Sequence, residues 1–124
     1  MKKKVLIVDD DHSLLRLSQM ILTRKGYETA IAASSTEAKQ LLADEDGADV
    51  IILDLMMPNE SGDAFLDWLE KQESPLKNTP VILNTAKTLS TEELETFSRR
   101  CRTIIRKGIN FTDNLLNEIE SVLK

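Results

Sequence analysis

The sequence predicts an α/β fold in which helices cover both sides of a parallel sheet. Short, wholly apolar runs recur along the 124 residues, and most are followed by a segment with apolar residues at helical spacing. Strands that are apolar on both faces indicate burial on both faces, and right-handed crossovers then favour a parallel order. We therefore expect a doubly wound three-layer sandwich of five strands and five helices, forming a single domain over residues 1–124.

The first strand, helix and second strand are predicted from the first 32 residues. Residues 5–8 (VLIV) form an apolar run, and 28–32 (ETAIA) resemble a weaker strand. The segment 13–25 between them predicts a helix, and Gly26 is typical of a helix C-cap. The apolar stripe expected to face the core of this helix consists of Leu14, Leu17, Ile21 and Leu22.

The middle of the chain continues the alternation. Ser34 stands three residues before Glu37, which indicates a capping box at the start of the second helix. Residues 50–53 (VIIL) predict a fully buried strand, and 63–71 predict the third helix. The core stripe of that helix consists of Phe65, Leu66, Trp68 and Leu69.

The last third supplies two more strands and two more helices. Residues 80–84 (PVILN) and 103–106 (TIIR) are apolar runs that predict strands four and five. Ser90 and Glu93 repeat the capping-box spacing at the start of the fourth helix, and 113–124 predict the fifth. The apolar face of the fifth helix consists of Leu115, Leu116, Ile119, Val122 and Leu123.

Composition and charge narrow the class of protein. With 41% hydrophobic and 30% charged residues the chain is typical of a globular protein, and its net charge of −5 argues against a nucleic-acid-binding surface. The start, MKKKVLIV, has too short an apolar run for a signal peptide, and no run approaches the roughly 20 residues that span a bilayer. A single cysteine excludes an internal disulfide. We expect a cytoplasmic protein whose partner is neither a nucleic acid nor a membrane.

Polar side chains collect where the predicted strands end. In an open parallel sheet, ligands bind beyond the carboxyl ends of the strands. Four of the five strands deliver a reactive group to that edge: Asp9, Asp10 and Asp11 after the first, Asp54 after the third, Thr85 after the fourth and Lys107 after the fifth. This convergence is the strongest functional signal in the sequence.

These groups indicate a site for phosphoryl transfer. Two carboxylates a few ångström apart repel by about 4 kcal/mol at an effective dielectric near 20, and a hard divalent cation such as Mg²⁺ relieves that repulsion. The Thr85 hydroxyl and the Lys107 ammonium would complete the surroundings of a phosphoryl group. The set therefore predicts phosphoryl transfer to a carboxylate nucleophile.

The same residues carry a resemblance to a known family. The chain resembles the receiver domain of two-component response regulators over nearly its whole length. The matching segments are VLIVDDD with its acidic pair, VIILDLMMPNESG with Asp54, Pro58 and Gly62, PVILNTA with Thr85, and IIRKG with Lys107. The resemblance implies a flavodoxin-like sandwich with strand order 2-1-3-4-5.

The resemblance also implies a role for each site residue. Asp54 would accept a phosphoryl group from the phosphohistidine of a sensor histidine kinase or a histidine phosphotransfer protein. Mg²⁺ would be bound directly by Asp10 and Asp54, through water by Asp9, and by the backbone carbonyl of Met56. The domain would catalyse only its own phosphorylation and dephosphorylation.

A conformational switch is the expected consequence of phosphorylation. Thr85 would bond the phosphoryl oxygens and Lys107 would pair with them, which shifts the face built by helix four, strand five and helix five. The sequence departs from the family pattern in three places. Ile104 replaces the usual aromatic residue, Gly108 replaces the usual proline, and RRCRT replaces the glycine usually found between helix four and strand five. The segments LNTAKTLSTEEL and IIRKG resemble receivers attached to hybrid sensor kinases more than those of DNA-binding regulators.

Two alternatives stand beside this interpretation. A phosphatase of the haloacid-dehalogenase type would use Asp9 as nucleophile and Asp11 as acid/base. A binding module could keep the receiver fold and lose the switch, as Ile104 and Gly108 suggest. Asp11 itself is expected to cap the first helix rather than to bind a metal.

Overall fold

The computed structural model describes residues 2–44, 47–57, 60–108 and 110–123. Its strands form one five-stranded sheet in the order β2-β1-β3-β4-β5, and every neighbouring pair is parallel. The strands are β1 Lys4–Val8, β2 Glu28–Ala32, β3 Val50–Asp54, β4 Val81–Thr85 and β5 Thr103–Arg106. The predicted order and parallel pairing are confirmed.

Within the described residues, five α-helices cover the sheet in two layers. They are α1 His12–Arg24, α2 Ser35–Asp44, α3 Gly62–Glu70, α4 Thr91–Arg100 and α5 Phe111–Leu123, with a 3₁₀ turn at Leu76–Asn78. Leu15 and Leu22 of α1 and Leu115 of α5 pack against one face of the sheet, which we call the α1/α5 face. Residues of α2, α3 and α4 pack against the other face. Among the described residues, no helix combines the length and apolarity that crossing a membrane requires.

The helix caps agree with most of the sequence signals. Asp11 caps α1, its carboxylate accepting a hydrogen bond from the Leu14 N–H at 3.1 Å. Ser90 and Glu93 form both bonds of a capping box at the start of α4. Gly26 follows the end of α1 with a φ of +94°, a conformation that favours glycine.

The capping box predicted for α2 is only half present. The Ser34 hydroxyl accepts from the Glu37 N–H at 3.1 Å, as expected. The Glu37 carboxylate accepts from the N–H of Ala33 at 2.8 Å instead of from that of Ser34. The return bond thus lies one residue further upstream, and it ties the end of the β2 segment to α2.

The stripe predicted for α1 is partly wrong. Leu22 is buried, but Leu17 is 42% exposed, and Leu15 and Ser18 face the sheet in its place. This helix carries apolar residues on two faces, so helical spacing by itself selects neither. The contact with the sheet decides that the face with Leu15 is the buried one.

Candidate functional site

Parallel pairing of β1 with β3 brings two buried carboxylates together. Val8 and Leu53 are register partners, so Asp9 and Asp54 leave neighbouring strands at the same level. Both are almost inaccessible, at 2% and 3% exposure, whereas Asp10 is exposed. One oxygen of each of these three carboxylates lies within 4.8 Å of the others. The predicted convergence of Asp9, Asp10 and Asp54 is therefore present.

Lys107 supplies the positive charge of this cluster. It follows β5, and its backbone N–H donates to the Thr85 carbonyl at 2.8 Å, which extends the β4–β5 ladder by one residue. Its Nζ lies 2.7 Å from Asp9 Oδ2 and 3.6 Å from Asp54 Oδ1. The ammonium thus partly neutralises two buried carboxylates that would otherwise repel each other.

The pKa values of the site reflect this crowding. Burial and then the charge of Asp9 raise the pKa of Asp54 to about 6, although Lys107 and the Met56 N–H act in the opposite direction. Burial opposes the charge of Lys107, but the hydrogen bond and charge of Asp9, with Asp54, outweigh it and raise the pKa of the ammonium. Lys107 therefore stays charged at neutral pH, and Asp54 titrates well above an ordinary aspartate.

Backbone N–H groups orient the two buried carboxylates. The Asp11 N–H donates to Asp9 Oδ1 at 3.0 Å, and the Met56 N–H donates to Asp54 Oδ1 at 3.2 Å. Each carboxylate is thus held by the residue two positions further along the chain. The side chain of Met56 is exposed, and the metal-binding role of its carbonyl stays a prediction.

Thr85 lies at the end of β4 and is fully buried. Its Oγ1 accepts a hydrogen bond from the Lys87 N–H at 3.0 Å. Within the described ranges, no hydrogen bond joins the Thr85 hydroxyl to the carboxylate cluster. Thr85 is therefore near the site but engaged in the β4–α4 loop.

The cluster fits a divalent cation. Its three carboxylates are hard oxygen donors, the type that Mg²⁺ prefers, and one oxygen of each converges with the others. A single ammonium leaves an excess of negative charge among Asp9, Asp10 and Asp54. Asp11 is directed to its helix cap instead, as expected.

Gly62 holds the loop after β3 close to Asp54. A Cβ at this position would lie 2.9 Å from the Asp54 carbonyl oxygen and 2.9 Å from Leu55 Cα, closer than real contacts allow. The Gly62 N–H donates to the Leu55 carbonyl at 2.9 Å. This close approach explains why a residue without a side chain is needed at Gly62. Pro58, which belongs to the same matching segment VIILDLMMPNESG, lies outside the described residues.

One residue at the site was missed by sequence reasoning. Asn84 is the register partner of Asp54 on β4 and is only 3% exposed. Its Oδ1 is buried and has no hydrogen-bond partner in the part of the chain that the structure describes. The available signal was a single amide within the otherwise apolar run VILN.

Comparison with known proteins decides the family. The model of the response regulator receiver domain matches residues 5–120. The chain belongs to the response regulator receiver family. This receiver domain is 34% identical over 110 residues to the polar-differentiation response regulator DivK of Brucella ovis, a match that covers 89% of the chain and 88% of DivK.

Solved receiver structures have the same fold. The chemotaxis protein CheY4 of Vibrio cholerae superposes with a TM-score of 0.86 at 30% identity, covering 98% of this receiver and 99% of CheY4. The response regulator TrrA of Thermotoga maritima, solved in complex with Mg²⁺ and BeF, has a TM-score of 0.82 at 28% identity over 98% and 99% of the chains. This receiver is therefore a phosphoacceptor signalling module of two-component systems. The haloacid-dehalogenase alternative has no support among these relatives, and the hybrid-kinase subtype stays a prediction.

Proposed function

We propose that Asp54 is the phosphoacceptor of this receiver. The observation that carries the proposal is the position of its buried carboxylate, which lies beside the acidic pair Asp9 and Asp10 and 3.6 Å from the ammonium of Lys107. A carboxylate oxygen of Asp54 attacks the phosphorus of a phosphohistidine, and the P–N bond breaks. The imidazole leaves with the bonding electron pair and takes up a proton. The donor is a sensor histidine kinase or a histidine phosphotransfer protein.

The acidic cluster would hold Mg²⁺ for this reaction. Asp9, Asp10 and Asp54 supply carboxylate oxygens, and the Met56 carbonyl is a further candidate. When bound, the cation neutralises charge on the phosphoryl oxygens. The chain itself holds the carboxylates in place through the N–H groups of Asp11 and Met56.

Lys107 and Thr85 would receive the phosphoryl group. The Lys107 ammonium lies 3.6 Å from Asp54 Oδ1, close enough to pair with an oxygen of the acyl phosphate. The Thr85 hydroxyl would turn from the Lys87 N–H toward the same group. The domain then catalyses its own phosphorylation and the hydrolysis of its acyl phosphate, with no other substrate.

The output face would be the one built by α4, β5 and α5. Ile104 leaves a cavity of about 290 Å³ between the β4–α4 loop and β5, lined also by Thr85 and Leu94. At its edge Arg106 Nη2 donates to Thr88 Oγ1 at 2.6 Å. Movement of Thr85 displaces the loop that carries Thr88, and the bond from Arg106 to Thr88 passes this displacement to β5. In other members of the family, the aromatic residue usual at the position of Ile104 has this role.

We also propose that residues 1–124 act as one receiver domain in the cytoplasm. The two apolar clusters on opposite faces of a single sheet support a single folding unit. The net charge of −5 supports a protein partner rather than a nucleic acid.

Labelling with a small phosphodonor tests the proposed function. Incubation with radiolabelled acetyl phosphate should label the protein in the presence of Mg²⁺ and not with EDTA. Asp54→Asn should abolish labelling, whereas Asp11→Asn, at the exposed cap of α1, should retain it. Undiminished labelling of Asp54→Asn would show that another residue is the acceptor.

A further inference from the structure

Asn84 is a buried amide beside the proposed phosphoacceptor. It stands on β4 in register with Asp54 on β3 and with Ile105 on β5. Its Oδ1 is buried without a hydrogen-bond partner in the described ranges. A buried carbonyl oxygen left unpaired is destabilising, so such an atom calls for a role.

The side chain of Asn84 lies on the α1/α5 face of the sheet. Side chains alternate along a strand, and Ile82 belongs to the core of that face. The same alternation on β3 places Asp54 on this face, because Ile52 also belongs to that core. Asn84 and Asp54 are therefore lateral neighbours on one face of adjacent strands.

Lys107 must cross β4 to reach the carboxylates. In the strand order β4 separates β5 from β3, and β3 separates β4 from β1. Lys107 lies two residues beyond Ile105 on the α1/α5 face, yet its Nζ is 2.7 Å from Asp9 Oδ2 after β1. Its side chain thus passes over the end of β4, where Asn84 lies.

We propose that Asn84 positions Lys107 by accepting a hydrogen bond from its ammonium when a divalent cation occupies the acidic cluster. The inference rests on the proposed function, in which Asp9, Asp10 and Asp54 bind that cation. A cation there repels the ammonium and competes with it for Asp9 Oδ2. The displaced ammonium needs another acceptor, and Asn84 Oδ1 is the unpaired one on the strand beneath it.

A neutral amide suits this role better than a carboxylate. It holds the ammonium on the β4 side of Asp54 without adding a fourth negative charge to the cluster. Thr85, which would bond the phosphoryl oxygens, follows Asn84 on the same strand. Asn84 thereby keeps the Lys107 ammonium beside the position that an oxygen of the phosphoryl group will occupy. It acts through Lys107 and does not touch the reacting atoms.

A double-mutant cycle tests the role of Asn84, with beryllofluoride and Mg²⁺ as the probe. Asn84→Leu removes the acceptor and introduces an apolar side chain of similar size, which suits this core. With Lys107 present, it should weaken beryllofluoride binding about tenfold, as expected for a lost hydrogen bond to a charged group. In the Lys107→Met background the same substitution should have less than about a twofold effect. The ¹⁹F NMR signals of the bound probe should shift in Asn84→Leu.

Control variants distinguish a loss of Lys107 positioning from a change in core packing around β4. Ile82→Val, which alters packing on the same face of β4, should leave the affinity and the ¹⁹F signals unchanged. Asn84→Ala provides a second variant without the acceptor, and thermal unfolding reports whether each variant folds. Equal weakening by Asn84→Leu in both backgrounds, or none in either, would overturn the inference and leave the proposed function intact. Failure of the unsubstituted protein to bind the probe would instead contradict the proposed function.

Discussion

The ammonium of Lys107 lies 2.7 Å from Asp9 Oδ2 and joins a residue that follows the last strand to one that follows the first. The pair spans two intervening strands, because β3 and β4 lie between β1 and β5. In the metal-free protein it supplies the positive charge that the carboxylates require. A divalent cation bound to this cluster, as proposed above, would compete with Lys107 for the same oxygen.

Removal of this ammonium should destabilise the metal-free protein. Lys107→Ala leaves the buried carboxylates of Asp9 and Asp54 without a positively charged partner and should lower the free energy of unfolding by about 2 kcal/mol. The loss is smaller than for a fully buried ion pair because the Lys107 side chain is 21% exposed. The variant should also bind Mg²⁺ more tightly, since the competitor is gone, and recover stability when Mg²⁺ is added. Urea unfolding with and without Mg²⁺ measures both effects. Lys87→Ala, which removes a more exposed ion pair with Glu93, is the control and should cost well under about 1 kcal/mol.

The raised pKa of Asp54 predicts a pH-dependent stability. The folded protein holds the proton up to about pH 6 and the unfolded chain loses it near pH 4, so the folded state binds more protons in between. This residue therefore makes the protein less stable as pH rises from about 4 to about 6, and it contributes no further change above that.

Asp54→Asn should remove that decline and raise the free energy of unfolding at pH 7 by about 3 kcal/mol, the amount that corresponds to this rise in pKa. Urea unfolding across this pH range, together with a ¹³C NMR titration of the Asp54 carboxyl, provides the measurement. Asp67→Asn, on the exposed side of α3, should retain the decline. A titration midpoint near pH 4 in the metal-free protein would contradict the assigned environment.

The hydrogen bond between Arg106 and Thr88 predicts how the switch reaches β5. Thr88→Val removes the 2.6 Å bond and keeps the shape of the side chain. On addition of beryllofluoride and Mg²⁺, amide shifts near Asp54 should persist, while those in β5 and α5 should shrink by about half or more. Thr96→Val, which loses only a bond to the Glu92 carbonyl within α4, is the matched control. Full-sized shifts in β5 of Thr88→Val would rule out this route.

Arg100 ties α4 to α3 and should contribute measurably to stability. Its guanidinium contacts Asp67 at 2.6 Å and Glu70 at 3.0 Å, and it is largely shielded from solvent. Arg100→Gln should lower the free energy of unfolding by about 1–2 kcal/mol, with a smaller loss at high salt. Arg99→Gln is the control, because its 3.9 Å pair with Glu95 is exposed and should contribute almost nothing.

Gly62 should not tolerate a side chain. Gly62→Ala places a Cβ against the backbone of Asp54 and Leu55, which cannot yield as a flexible side chain does. We expect a loss of about 1–3 kcal/mol in unfolding free energy and weaker binding of beryllofluoride, since the loop next to Asp54 is displaced. Gly108→Ala has open space around its Cβ and should change stability by less than about 0.5 kcal/mol. Equal effects of the two substitutions would contradict the close approach at Gly62.

Much of the fold and of the candidate site was predictable from local sequence. Apolar runs such as VIIL report burial on both faces, and each ends near a group such as Asp54 or Lys107. Because the carboxyl ends of parallel strands share one edge, the convergence of these groups followed without knowledge of distances. Cap residues such as Asp11 and Ser90 act on their own helix, so their roles could be inferred from spacing alone.

The tertiary structure decided what depends on neighbours far away in the chain. Spacing predicted that α1 is a helix, but only packing against the sheet determined that Leu15 is buried and Leu17 exposed. In the sequence, Asn84 is simply the last residue of the predicted fourth strand. Only the strand order β3-β4-β5 places its amide beside Asp54 and next to the side chain of Lys107 as it crosses β4. Local periodicity specifies helices, strands and their ends, whereas the face that is buried and the side chains that meet are set by packing between segments.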